Sequence, residues 1–285
     1  NFDGIETWDT SKVVYMTSMF DDALYFNHNI NSWNVSNVKD MSCMFKGCRN
    51  FNQPLDKWDV SNVEDMSEMF LAASSFNGNI SNWNTSNVKN MSYMFSHAEV
   101  FNCDISNWNT SNVIDMLAMF SHAEVFNCDI SNWNTSNVID MLAMFSDCRE
   151  FNQPLDKWDI SKVKYMSSMF ENAKSFNQNL NNWNISNVSS LQDMFENAVS
   201  FNGNISNWDV SNIENMENMF LGAESFNQDL NNWNVSNVAD MSCMFYKASS
   251  FNKENIKKWQ FNNVKNIHIC LMIYLYTSYL KFIQN

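Results

Sequence analysis

Tryptophan recurs along this chain with a fixed stride. Trp8, Trp33, Trp58, Trp83, Trp108, Trp133, Trp158, Trp183, Trp208 and Trp233 stand 25 residues apart, and Trp259 follows one residue late. Counted from Phe26, each unit reads F-N-x-x-[IL]-x-x-W-[ND]-[VTI]-S-[NK]-[VI]-x-x-M-x-x-M-F-x-x-[AC]-x-x, with Leu191 once in place of the first Met. The register holds without gaps through residue 250, which makes ten units and a decayed eleventh. Units 101–125 and 126–150 share their first 21 positions, the mark of a recent duplication. A period of this length is the signature of a stacked repeat architecture. One unit cannot bury its own apolar stripe, whereas stacked copies cover one another.

Within residues 51–75 two local patterns are visible. Trp58-Asp59-Val60-Ser61 alternates as a short strand does, with Trp58 and Val60 inward and Asp59 and Ser61 outward. Met66, Met69, Phe70 and Ala73 fall at the spacing of one helix face, with Asp65 placed to cap its start. Parallel strands stack ~4.8 Å apart and helices need more room. The expected fold is therefore an α/β solenoid of about eleven coils that curves, with parallel strands on the concave face and short helices on the convex face. The boundaries expected are a repeat solenoid over 1–263, truncated at its N-terminus because Asn1-Phe2-Asp3 already lies within the period, and a decayed last unit with a helical cap over 264–285. The apolar run 267–283 is shorter than the ~20 residues of a membrane span, so no membrane insertion is expected.

Composition narrows the function. The net charge of −14 opposes binding to nucleic acid or to an anionic membrane, and favours a basic partner. With only five Gly, the chain offers little material for backbone at positive φ. Asn is the excess residue, at 49 copies. The Met stripe and the Trp column recur once per coil along a line, so both read as core rather than as a metal box or a stacking platform. His97 with His122, and Cys103 with Cys128, are equivalent positions in near-identical units and read as by-products of duplication. Cys48 and Cys148 take the small inward Ala position and read as buried thiols. No catalytic constellation, metal site or cofactor is expected.

The outward strand positions remain. Asp59, Asn84, Asn109, Asn134, Asp159, Asn184 and Asp209, with Ser61, Ser86, Ser111, Ser136, Ser161, Ser186 and Ser211 two residues later, would form two polar ladders along the concave face. Stacked amides can hydrogen-bond from coil to coil. The same ladder is the candidate recognition surface for a protein or glycan.

Leu55-x-x-Trp58-x-Val60-x-x-Val63 follows the LxxLxLxx spacing of leucine-rich repeats, and the whole unit resembles that of BspA-like leucine-rich-repeat surface proteins, including the mycoplasma-type surface repeat. The resemblance runs from residue 1 to about 264, and departs where Phe261-Asn262 replaces the usual V-S. It implies a leucine-rich-repeat-like solenoid, a cell-surface or extracellular location, and adhesion through a protein or glycan on a host or neighbouring cell. It implies no catalytic residue. A structural spacer or coat element without a specific ligand is the competing reading.

Where the ladder residue is Asn it opens an N-x-S sequon, as at Asn84, Asn109 and Asn134. Glycans on successive coils would crowd one another. These three sites are expected to stay unmodified in the native protein, and glycopeptide mass spectrometry finding all three fully occupied would refute that.

Overall fold

The computed structural model describes residues 3–267; the cap expected over 264–285 lies almost entirely outside them. Coil follows coil as the period requires. Met66, Met69, Phe70 and Ala73 are wholly buried, as are their counterparts from the second coil to the tenth. Three aromatic columns thread the core. Trp rings follow one another at 6.1 to 6.4 Å, the Phe20 column at 5.4 to 5.8 Å, and the Phe26 column at 5.7 to 6.1 Å. Phe70 also lies 3.9 Å from Phe76, ring centre to ring centre, so the two Phe columns interlock where one coil passes into the next.

The helices expected at Met66–Ala73 and its equivalents are not formed, and no described residue is α-helical. An α-helix with its side chains is about 10–12 Å across, while Phe45, Phe70 and Phe95 in successive copies of this segment stand 5.4 and 5.6 Å apart. There is no room for a helix at that spacing. The segment divides its amides between two partners instead. Met66, Glu68, Phe70 and Ala72 donate to Asn90, Ser92, Met94 and Ser96 of the next coil at 2.8–3.0 Å, while Met69, Leu71 and Ala73 close turns onto Met66, Glu68 and Phe70. The apolar spacing that marks a helix face also marks a string of turns.

This string needs backbone that L-residues avoid. Glu68 and Ala72 both take φ 56°, and every coil from the first to the tenth repeats the pair. Eighteen of these positive-φ residues are not glycine, which overturns the inference drawn from scarce Gly. Left-handed backbone costs about 1–2 kcal/mol per residue. From the first coil to the ninth the amide at each such position donates to a neighbouring coil, as Glu68 does to Ser92 at 2.8 Å, and that bond offsets the strain.

The strand assignment also moves. Single-residue parallel bridges join the residue before the first Met, running from Tyr15 through Asp40, Asp65, Asn90, Asp115 and Asp140 to Tyr165, and again from Ser190 to Asn266. The segment expected as strand keeps its inward Trp58 and Val60 and outward Asp59. It makes no backbone ladder there, because the Ser61 amide is taken by Asp59 Oδ1 at 3.1 Å. The turn side is also no wider than the Trp side, so the expected reason for curvature falls away.

Each Trp does more than fill space. Indole Nε1 donates to the backbone carbonyl of the Ile or Leu in the preceding coil, from Trp33 on Ile5 at 2.9 Å to Trp259 on Leu230 at 2.8 Å. The eleventh coil absorbs its extra residue in a 3-10 turn at Lys253–Ile256, so Trp259 still stacks 6.2 Å from Trp233. Replacing Trp133 by Phe removes the indole donor at 3.1 Å from the Ile105 carbonyl, which keeps the Trp108 N–H at 3.1 Å, and the lost hydrogen bond is expected to cost about 0.5–1.5 kcal/mol. The same change at Trp8, which is 56% exposed on the first coil, should cost far less. Thermal and urea melts of the two variants compare them; equal losses would refute the role given to the indole N–H.

Candidate functional site: a polar ladder on the outer surface

Asp59, Asn84, Asn109, Asn134, Asp159, Asn184 and Asp209 are all exposed, and the Ser residues two positions on are half-buried. The periodicity therefore places these side chains in a line, once per coil. Their bonding differs from the ladder expected. Each carboxylate or amide oxygen accepts the backbone N–H of its own Ser, at 3.0 to 3.2 Å, instead of reaching the next coil. An Asx turn of this kind is favoured wherever Asn or Asp precedes a tight bend by one residue. Ser136 Oγ adds a second bond to Asn134 Oδ1 at 2.7 Å. Hydrogen bonds from Ser161 and Ser211 hold Asp159 and Asp209 below the ordinary carboxylate range, so both are charged at neutral pH.

Coil-to-coil amide contacts lie at other positions, and two of these run as columns. The Asn after Phe forms one continuous column, in which Asn77 donates its backbone N–H to Asn52 Oδ1 at 2.9 Å and Asn102 to Asn77 in turn. The Asn after Ser forms another, with Asn62 Nδ2 on the Ser36 carbonyl and Asn87 Nδ2 on the Ser61 carbonyl at 2.7 and 2.6 Å. Neither column belongs to the ladder read from the sequence. The signal was present, since both positions repeat Asn coil after coil.

The remaining candidates resolve simply. His97 and His122 stack with ring centres 4.2 Å apart, and burial together with the His122 charge pulls the His97 pKa down. Cys103 and Cys128 are free thiols, with Cys128 Sγ 3.6 Å from Asp104 Oδ1. Cys48 and Cys148 donate to the Phe20 and Phe120 carbonyls of the preceding coil at 3.0 and 2.8 Å, and burial pushes both thiols up, Cys48 to about 12. A cluster that the sequence did not flag lies around Glu196. Burial first, then Asp193 and Glu171, raise its carboxyl from 4.5 to about 7.

The family model for DUF285, described as a Mycoplasma protein of unknown function, matches residues 1–108, 54–134, 99–202 and 179–276. The chain belongs to this family. No curated protein matches it. Among solved structures, a chain of the Toll–Spatzle complex of Drosophila is 12% identical at a TM-score of 0.26, over 76% of this chain and 34% of that one. An LRR protein of Leptospira interrogans is 8% identical at 0.26, over 81% and 72%, and an internalin (inlF) of Listeria monocytogenes is 8% identical at 0.25, over 83% and 69%. This DUF285 chain thus spans about a third of the length of the matched chain of the Toll–Spatzle complex. Similarity at these scores does not establish a shared coil geometry.

Glu196 supplies a pH test. Burial holds its folded pKa above the ordinary glutamate range, at about 7, so the folded state binds this proton more tightly and the stabilisation it brings is present at low pH and lost as pH rises through about 7. Glu196→Gln is expected to raise the melting temperature at pH 8 and leave it unchanged at pH 4. A variant that melts like wild type at both pH values would contradict this assignment.

Proposed function

We propose that this DUF285 chain is a non-catalytic interaction module, displayed at a cell surface or outside the cell, that meets a protein or glycan partner along the outer polar ladder. The observation that carries this reading is the row of exposed Asn and Asp side chains, one per coil, each with one oxygen pinned by its own Ser amide. Fixing one oxygen holds the side chain in place before binding, which lowers the entropic cost of recognition. Several coils together offer the roughly 800 Å² per partner that a stable interface needs. The acidic members suit a basic protein segment, and the amides suit the hydroxyls of a glycan. The surface location rests on the resemblance of the repeat to BspA-like surface proteins.

The spacer reading draws on a different feature, the near-uniformity of the ladder. Asx turns account for that uniformity without a ligand, so binding data must separate the two readings. Fluorescently labelled protein is applied to a glycan array and to arrayed basic and acidic extracellular proteins, alongside a variant carrying Asp59→Lys, Asp159→Lys and Asp209→Lys. Loss of at least ~10-fold in binding, about 1.4 kcal/mol, with weaker binding at high salt, is expected for the variant on basic targets. Unchanged binding by the variant would remove the acidic ladder from the interface.

A further inference from the structure

Outward apolar side chains stand in two places on this solenoid. The first coil exposes Val14 and Tyr25, at positions that face outward in the interior coils too, and Ile267 is exposed at the end of the described residues. Away from these ends, the exposed large hydrophobics are Val100, Ile114, Val125, Leu142 and Tyr165, all from the middle of the chain. Ile114 is 45% exposed and Leu142 37%, and their coil equivalents Ile139 and Leu117 are half-buried. In other coils the same two positions are mostly charged or polar, as with Glu64 and Lys89 at the first and Ser67 and Ser92 at the second. The core does not need aliphatics here. The duplicated unit has doubled a surface feature that the repeat otherwise avoids.

Backbone bonds put this feature in a defined row. Ile114 N donates to the Lys89 carbonyl at 2.9 Å, Ile139 N to Ile114 at 2.8 Å, and Lys164 N to Ile139 at 2.9 Å. Along the stack the order is therefore lysine, isoleucine, isoleucine, lysine. Leu117 and Leu142 lie three residues further along the same two coils. Between the two pairs stand Asp115 and Asp140, whose Oδ1 atoms accept the Leu117 and Leu142 amides at 2.9 Å. Lys89 also meets Glu64 at 2.7 Å on the side away from the isoleucines.

We propose that Ile114, Leu117, Ile139 and Leu142 form a docking surface for an extended protein segment that lies along the stack and carries aliphatic side chains between two carboxylates. The bracketing lysines select the acidic ends. Three coil steps of ~4.8 Å separate Lys89 from Lys164, a span that an extended chain rising ~3.3 Å per residue crosses in about five residues. Charge argues against the other occupants. A two-fold related second copy laid row on row would set lysine on lysine and bring together two chains of net charge −14. An anionic lipid surface would face the whole chain of net charge −14, whereas a short acidic-ended segment meets only this lysine-bracketed row. The residues of this row are not those of the polar ladder, and the proposal does not rest on it.

The probe is a labelled six-residue peptide with glutamate at both ends and aliphatic residues between, followed by fluorescence anisotropy against a control peptide with lysine at both ends. The wild-type chain should prefer the glutamate peptide by ~10-fold or more. The variant Ile114→Ser, Leu117→Ser, Ile139→Ser, Leu142→Ser should lose that binding by ~10-fold or more. Serine already occupies both positions in other coils, at Ser189 and Ser67, and an unchanged thermal melt confirms the fold. A second variant, Lys89→Glu with Lys164→Glu, should reverse the preference towards the lysine peptide. The ladder variant should bind the glutamate peptide as wild type does, which keeps the two surfaces distinguishable. Absence of peptide preference, retention of binding in the serine variant, or an effect of that variant only on sedimentation or on flotation with phosphatidylcholine–phosphatidylserine vesicles would each overturn the proposal.

Discussion

Everything in this molecule follows from how closely one coil sits on the next. In the segment after each bridge, every second amide donates to a carbonyl of the neighbouring coil. That bonding holds the stack at a spacing where aromatic rings lie within 5.4 to 6.4 Å of their counterparts. At such a spacing helices are excluded, left-handed residues become necessary to swing alternate amides outward along the stack, and an indole N–H can reach a carbonyl one coil back. A single coil has none of these partners within itself. Stability is accordingly a sum of nearest-neighbour contacts.

Close stacking also explains the asparagine. Asn combines a donor and an acceptor on a short side chain, and the positions sort by which of these the structure uses. After Ser, where the side chain donates to a carbonyl one coil back, the residue is Asn or, at Lys12 and Lys162, another donor; Asp does not occur. After Trp, where only an oxygen is used, Asn and Asp interchange freely. The column after Phe uses the oxygen as acceptor too, yet it is always Asn from Asn27 to Asn252. Ten carboxylates aligned one coil apart would repel one another.

The stacking, its period and the inward set of Trp, Val, Met and Phe could be read directly from the chain, because burial follows from repetition alone. The nature of the turn segment could not. Met66, Met69, Phe70 and Ala73 satisfy a helix and a string of turns equally, and the choice is made by the distance between copies, a property no single coil carries. The glycine argument failed for the same reason: Glu68 and Ala72 tolerate positive φ only because a neighbouring coil accepts their amides. At the candidate site, exposure of Asp59 and its equivalents was legible from alternation. Their hydrogen-bond partner was misjudged, although a Ser amide two residues on was the nearest donor available.

A stacked repeat separates the demands of folding from those of recognition. Inward residues and turn-holding polar groups must recur in every coil, so their uniformity carries no information about a ligand. The ladder after Trp belongs to this class, since each Asn or Asp secures its own bend; any partner it has must accept the same chemistry at coil after coil. Freedom to differ lies at outward positions whose side chains hold no bend, such as the one occupied by Lys39, Glu64, Ile114 and Glu214. There the substitutions cost the fold little. Two adjacent coils, products of one duplication, place isoleucine where most others place charge or a small residue, and local identity of that kind is what a specific partner can read.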